Sequence, residues 1–146
     1  VFVAVGSQVI SYSANGINWT HVGDLSSYYQ AVVYGNGVFV AVGSQVISYS
    51  ADGVNWTHVE DLIGSYTSVA YGGGAFVTSG NNGEIAYSTD GVNWETLTVG
   101  NSTYECVAYG GGAFVTSGNN GEIAYCAPKK KYKVPESWLP EQKEIA

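Results

Sequence analysis

VFVAVGSQVISYSADGVNW, residues 38–56, decides the fold, because most of the chain is a copy of it. Residues 1–19 read VFVAVGSQVISYSANGINW, and residues 75–94 read AFVTSGNNGEIAYSTDGVNW. Residues 113–125 carry AFVTSGNNGEIAY and then depart from the pattern. Phenylalanine recurs at Phe2, Phe39, Phe76 and Phe114 and tryptophan at Trp19, Trp56 and Trp94, in steps of 37 or 38 residues. A period of that length marks a supersecondary unit that cannot bury its own faces and must stack on its neighbours.

Each unit reads as four short strands. Residues 30–34 (QAVVY) form the first, echoed at 67–71 and 105–109. A glycine-rich turn follows, Gly35-Asn36-Gly37 or three glycines at 72–74 and 110–112, where positive φ angles close a tight hairpin. The second strand, 38–42, is a continuous apolar run suited to burial on both faces. The chain turns through Gly43-Ser44-Gln45, or Gly80-Asn81-Asn82-Gly83 in a later copy, into a third strand at 46–50. Ala51-Asp52-Gly53 then has the chemistry of a turn, and a fourth strand runs from about Asn55 to Val59.

Four antiparallel strands repeated at this spacing describe the blade of a β-propeller. The expected fold is therefore all-β, with about three and a half to four blades over residues 1–125, as a ring of its own or as part of a larger or oligomeric one. A parallel β-solenoid is the alternative, but its coils are shorter and lack repeated glycine-rich hairpins. Counting strands gives three, four, four and three. The first strand is expected at the axis and the fourth outside, with Ala31, Ser68 and Cys106 as a column of small residues along the channel. Residues 126–146 break from the repeat, holding all three prolines and every lysine, and read as a C-terminal tail or docking segment.

The stretch Ser50-Ala51-Asp52-Gly53-Val54-Asn55-Trp56 resembles the Asp-box, or BNR, hairpin of sialidase-like propellers, in a variant found in bacterial and phage surface proteins. It recurs as Ser13–Trp19, with Asn15 replacing Asp and Gly16 in place, and as Ser88–Trp94, with Asp90 and Gly91. This version is one residue shorter than the commonest pattern of the family. The resemblance implies a hairpin between the third and fourth strands of each blade. Its physics is structural: Ser and Asp side chains accept turn N–H groups at about 1 kcal/mol each, and Trp buries between sheets. Catalysis or Ca2+ binding by these Asp residues is the lesser reading, because a residue repeated in every blade serves what every blade needs.

Charge narrows the function classes. The chain has net charge −7, no arginine, and no lysine before Lys129. Such a body repels phosphate backbones, which excludes nucleic acid as a partner. No apolar run approaches the roughly 20 residues needed to span a bilayer. The resembling sialidases grip their substrate with arginines that are absent here. Glu84 and Glu122 could form a hydrolytic carboxylate pair, the reading of a degenerate glycoside hydrolase. They occupy equivalent repeat positions, which argues against distinct acid and base environments. No enzyme activity, cofactor or metal site is expected, since Cys106, Cys126, His21 and His58 make a poor ligand set.

Two functional readings remain. One is a structural or recognition module in a phage or bacterial surface assembly, extracellular, cell-surface or virion-borne, with other protein subunits or copies of itself as partners. The other is a lectin-like propeller. The loops from second to third strand and from fourth strand to the next blade share one rim. Gln45, Asn81, Asn82, Glu84, Asn119, Asn120 and Glu122 would offer hydrogen bonds there, and Tyr66 and Tyr104 flat surfaces for sugars. The chain starts in mid-repeat without Met, as expected of a processed product or a part of something longer. It is not expected to close a ring alone.

Overall fold

The computed structural model describes residues 1–23 and 26–126. Fourteen strands form four antiparallel sheets of three, four, four and three strands, the pattern the repeat predicts and not that of a parallel coil. Sheet 1 holds β1 (Phe2–Gly6), β2 (Val9–Ser13) and β3 (Thr20–Val22). Sheet 2 holds β4 (Tyr29–Gly35), β5 (Val38–Gly43), β6 (Val46–Ser50) and β7 (Thr57–His58). Sheet 3 holds β8 (Tyr66–Gly72), β9 (Ala75–Gly80), β10 (Glu84–Ser88) and β11 (Glu95–Thr98). Sheet 4 holds β12 (Tyr104–Gly110), β13 (Ala113–Gly118) and β14 (Ile123–Cys126). Within each sheet the strands lie in chain order, so every connection is a hairpin.

Consecutive sheets pack face to face through alternating side chains. From sheet 2, Val40, Val42 and Ile47 point at sheet 3 and meet Tyr66, Val69, Phe76 and Ala86, with Trp94 against the same cluster. From the other face of sheet 2, Tyr29, Ala41 and Val46 meet Ile10 of sheet 1, with Trp56 beside them. Sheets 3 and 4 repeat the arrangement through Ile85, Tyr104 and Ala124. This is why β5 is buried on both faces: its apolar run serves two junctions at once.

The first strands β4, β8 and β12 run side by side from sheet to sheet. Thr67 Oγ1 donates to the Tyr104 carbonyl at 2.6 Å, and Ser68 Oγ accepts the Val107 N–H at 3.1 Å. Ser68 is thus aimed at sheet 4, and Ala31 packs against the cluster between sheets 2 and 3, while Cys106 is exposed. A register shift near the start of each first strand, at Tyr29/Ala31, Tyr66/Ser68 and Tyr104/Cys106, produces this turn of the side chains.

Cys106 and Cys126 are both exposed and unbonded to one another. The tail beyond Cys126, including Lys129, Tyr132, Trp138 and Leu139, lies outside the described residues.

Candidate functional site

The rim of second-to-third-strand loops is built from backbone bonds that tie each loop to an incoming connection, and the loop of sheet 3 to two. The loop of sheet 3 donates Asn81 N–H to the Ser65 carbonyl at 3.0 Å and Gly83 N–H to that of Ser102 at 2.7 Å. Matching bonds run from Ser44 to Tyr28, from Gln8 to Ser27 and from Asn119 to Thr103. The connections come close enough that a Cβ on Gly43 or Gly80 would strike the carbonyl of Tyr28 or Ser65. Those glycines, recurring at the end of each second strand, were visible in the sequence, yet only the structure shows what they admit.

Side chains divide sharply on this rim. Gln45, Asn81, Asn82, Asn119, Asn120 and Glu122 are exposed. Gln45 and Asn82 take positive φ, 56° and 53°, which turns their side chains away from the strands. Asn120 donates its side-chain amide to Ser102 Oγ at 3.3 Å. Glu84 is committed inward: its carboxylate accepts the Ser65 N–H at 3.0 Å. Tyr66 and Tyr104 are each only 2% exposed, so the expectation that they form flat surfaces for a ligand is corrected. The register shift after each of them places Tyr66 on the same face as Val69, inside the junction. Burial, with the Glu84 charge second, pushes the Tyr66 hydroxyl up to about 12. Tyr104 donates to the Val99 carbonyl at 3.0 Å. Tyr28 is the aromatic residue left open on this rim, with Gln8 Nε2 3.4 Å from its hydroxyl.

The opposite rim carries the Ser-x-Asp-Gly hairpins. Ser50 Oγ accepts the Gly53 N–H at 2.9 Å and donates to Asp52 Oδ1 at 3.0 Å. Asp52 Oδ1 accepts the N–H groups of Val54 and Asn55, both at 2.8 Å, and Oδ2 accepts the Asn55 amide at 2.8 Å. Trp56 Nε1 closes the turn on the Gly53 carbonyl at 3.0 Å. Ser88, Asp90, Gly91, Asn93 and Trp94 reproduce every one of these bonds. Ser13, Asn15, Gly16 and Trp19 keep all but the contact with the second carboxylate oxygen, since an amide there presents a donor to another donor. The Asn55 N–H, then its side-chain amide and the Val54 N–H, hold Asp52 well below the usual carboxylate range. For Asp90 the Asn93 side chain leads, followed by the N–H groups of Asn93 and Val92. Every lone pair so used is turned toward the hairpin's own N–H, amide and hydroxyl groups.

Two further features had no sequence signal of their own. Tyr29 OH, Ser48 Oγ and His58 Nδ1 form a chain of contacts at 2.8 and 2.7 Å, because Ser48 and His58 face each other across β6 and β7. Ser48 is fully buried, so its hydroxyl cannot meet a substrate. An apolar cavity of about 210 Å³ opens between sheets 3 and 4, lined by Val77, Ile85, Leu97, Phe114 and Ala124 among others. At the previous junction Trp94 packs there against Phe76, ring centroids 6.4 Å apart. Among the described residues, no buried side-chain polar atom lacks a partner.

No protein-family model matches the sequence, and no curated protein matches it. Solved structures do resemble it in fold. The computationally designed Ika4 protein aligns with a TM-score of 0.60 at 12% identity, over 86% of this chain and 88% of that one. YCF48 bound to D1 peptide aligns with a TM-score of 0.65 at 18% identity, over 88% of this chain and 47% of that one. Virginiamycin B lyase from Staphylococcus aureus gives 0.63 at 10% identity, over 88% and 55%. The chain thus spans about half the length of the last two. YCF48 and virginiamycin B lyase are β-propeller proteins, and at such identities the likeness is one of fold.

Proposed function

We propose that this chain is a non-catalytic recognition module that binds a protein segment along its second-to-third-strand rim. The observation that carries the reading is the rim itself, where amides and the Glu122 carboxylate stand exposed on loops bonded to the incoming connections while Tyr66 and Tyr104 are drawn into the core. Rigid loops bearing hydrogen-bonding groups bind with little ordering cost. The peptide-bound propeller among the similar structures shows what such a fold accommodates in that protein. Nine acidic residues and no lysine or arginine in residues 1–127 favour a basic segment as the partner. Buried Ser48 and inward-turned Glu84 support a role without chemistry. We read the repeated hairpins as structural Asp boxes, and the setting as an extracellular, cell-surface or virion assembly.

Titration with arginine- and lysine-rich peptides at low ionic strength tests this. Binding should weaken several-fold as salt shortens the screening length toward 8 Å, and an Asn82→Lys/Glu122→Lys double variant should abolish it. Binding that ignores both salt and the double variant would reject the rim as the site. The open Tyr28 beside Gln8 supports glycan binding as the second reading, and glycan-array signal lost in Tyr28→Ala but kept in the double variant would favour it.

A further inference from the structure

The two end sheets each leave one face uncovered, and the two faces are unlike. Phe39, Phe76 and Phe114 occupy one repeat position and are nearly buried, each by the sheet before its own; Phe2 at the same position is 56% exposed. Trp19 is exposed where Trp56 and Trp94 are half-buried. At the other end, Ile123 is 71% exposed, whereas Ile47 and Ile85, its counterparts, are 0% and 9% exposed because the following sheet covers them. Val115 and Tyr125 are exposed beside it. Among the described residues, no sheet covers these faces of sheet 1 and sheet 4.

The shape of the missing partner can be read from the junctions already formed. At two of them, two small apolar side chains of one sheet fill the hollow over the hairpin glycine of the next. A Cβ built on Gly91 would lie 3.1 Å from Val40 Cγ2 and 3.3 Å from Val38 Cγ1, and one on Gly53 2.8 Å from Val3 Cγ2 and 3.3 Å from Val1 Cγ1. Over Gly16 there is only the sheet's own Phe2. The residues of sheet 4 that match Val38 and Val40 are Ala113 and Val115, on its uncovered face. The hollow and the side chains that fit it are thus both present, at opposite ends of one molecule.

We propose that two copies of this chain associate head to tail, Ala113, Val115, Ile123 and Tyr125 of each packing on Phe2, Gly16 and Trp19 of the other. The proposal stands whether the rim binds a protein or a glycan. The contact continues, in the same register, a packing that the chain uses internally at two junctions, over Gly53 and over Gly91. None of these seven contact residues is charged; Glu105, at the repeat position from which Thr67 reaches the following sheet, is the carboxylate that borders the second face. Unlike faces generate a ring when the rotation closes, and two copies are the smallest such ring. Apolar patches of this kind on a protein surface mark an interaction site.

Sedimentation of the 146-residue chain with two sets of variants tests it. Phe2→Glu or Trp19→Glu spoils one face, and Val115→Glu or Ile123→Glu the other; all four side chains are exposed, and circular dichroism checks that each variant folds. The wild type should sediment as two copies. Each variant alone should run as one copy, its affinity weakened on the order of 30-fold or more. An equimolar mixture of a first-face and a second-face variant should recover a one-to-one complex through the junction both leave intact. A single-copy wild type overturns the proposal, including one in which radical footprinting finds Phe2, Trp19 and Tyr125 shielded, which would assign the faces to residues 127–146. Pairing that survives in either variant alone overturns it too, since like faces would then be meeting.

Discussion

At the scale of single residues, the hairpin carboxylates do the most local work. Asp52 and Asp90 each gather three N–H donors onto one side chain, and the first hairpin manages with Asn15. Because the folded state holds both carboxyls below their ordinary range, their contribution is fully present above the unfolded value of about 4 and is lost as pH falls below it. The melting temperature should therefore drop on acidification from pH 5 to pH 2. In an Asp52→Asn/Asp90→Asn variant, which copies the Asn15 hairpin, that slope should be shallower. An unchanged slope would mean that these carboxylates do not stabilise the fold. Trp56 and Asn82 give a second contrast. Trp56→Ala opens the junction between sheets 1 and 2 and should cost about 2–4 kcal/mol in denaturant unfolding. Asn82→Ala places a Cβ-bearing residue without a local acceptor at φ 53° and should cost about 1 kcal/mol, with Asn82→Gly close to neutral.

At the scale of strands and sheets, the count of three, four, four and three strands was legible because a repeat shows its unit several times over. The hairpin positions were legible for the same reason. The burial of Tyr66 and Tyr104 was not. From the repeat alone the first strands start at residues 67 and 105, which leaves both tyrosines to the connections, whereas each pairs into its sheet across a register shift. The fourth strand of sheet 2 was also overdrawn: β7 spans only Thr57–His58, and one further backbone bond, from the Val59 N–H to the Ile47 carbonyl at 2.9 Å, extends past it. Junction cover should grade the stability of the sheets. Amides of β14 should exchange faster than those of β6, by on the order of tenfold, because Ile123 lies open where Ile47 is sealed. Equal protection in β6 and β14, in a sample kept dilute enough to be a single copy, would show that neighbouring sheets contribute little.

At the scale of the whole molecule, one junction repeated from sheet to sheet explains most of what the sequence conserves between its copies: the apolar second strand, the buried phenylalanine, the glycine under the valines, the tryptophan at the rim. The same junction leaves the polar loops on one edge, free of packing duties, which is what makes that edge available for recognition. The measurement that bears most directly on this is a crystal structure of the purified chain. The account predicts β4, β8 and β12 side by side about a single axis, with Trp56 and Trp94 wedged between consecutive sheets and Val38 and Val40 over Gly91. Four sheets stacked two upon two as a sandwich, with the tryptophans facing solvent, would contradict it.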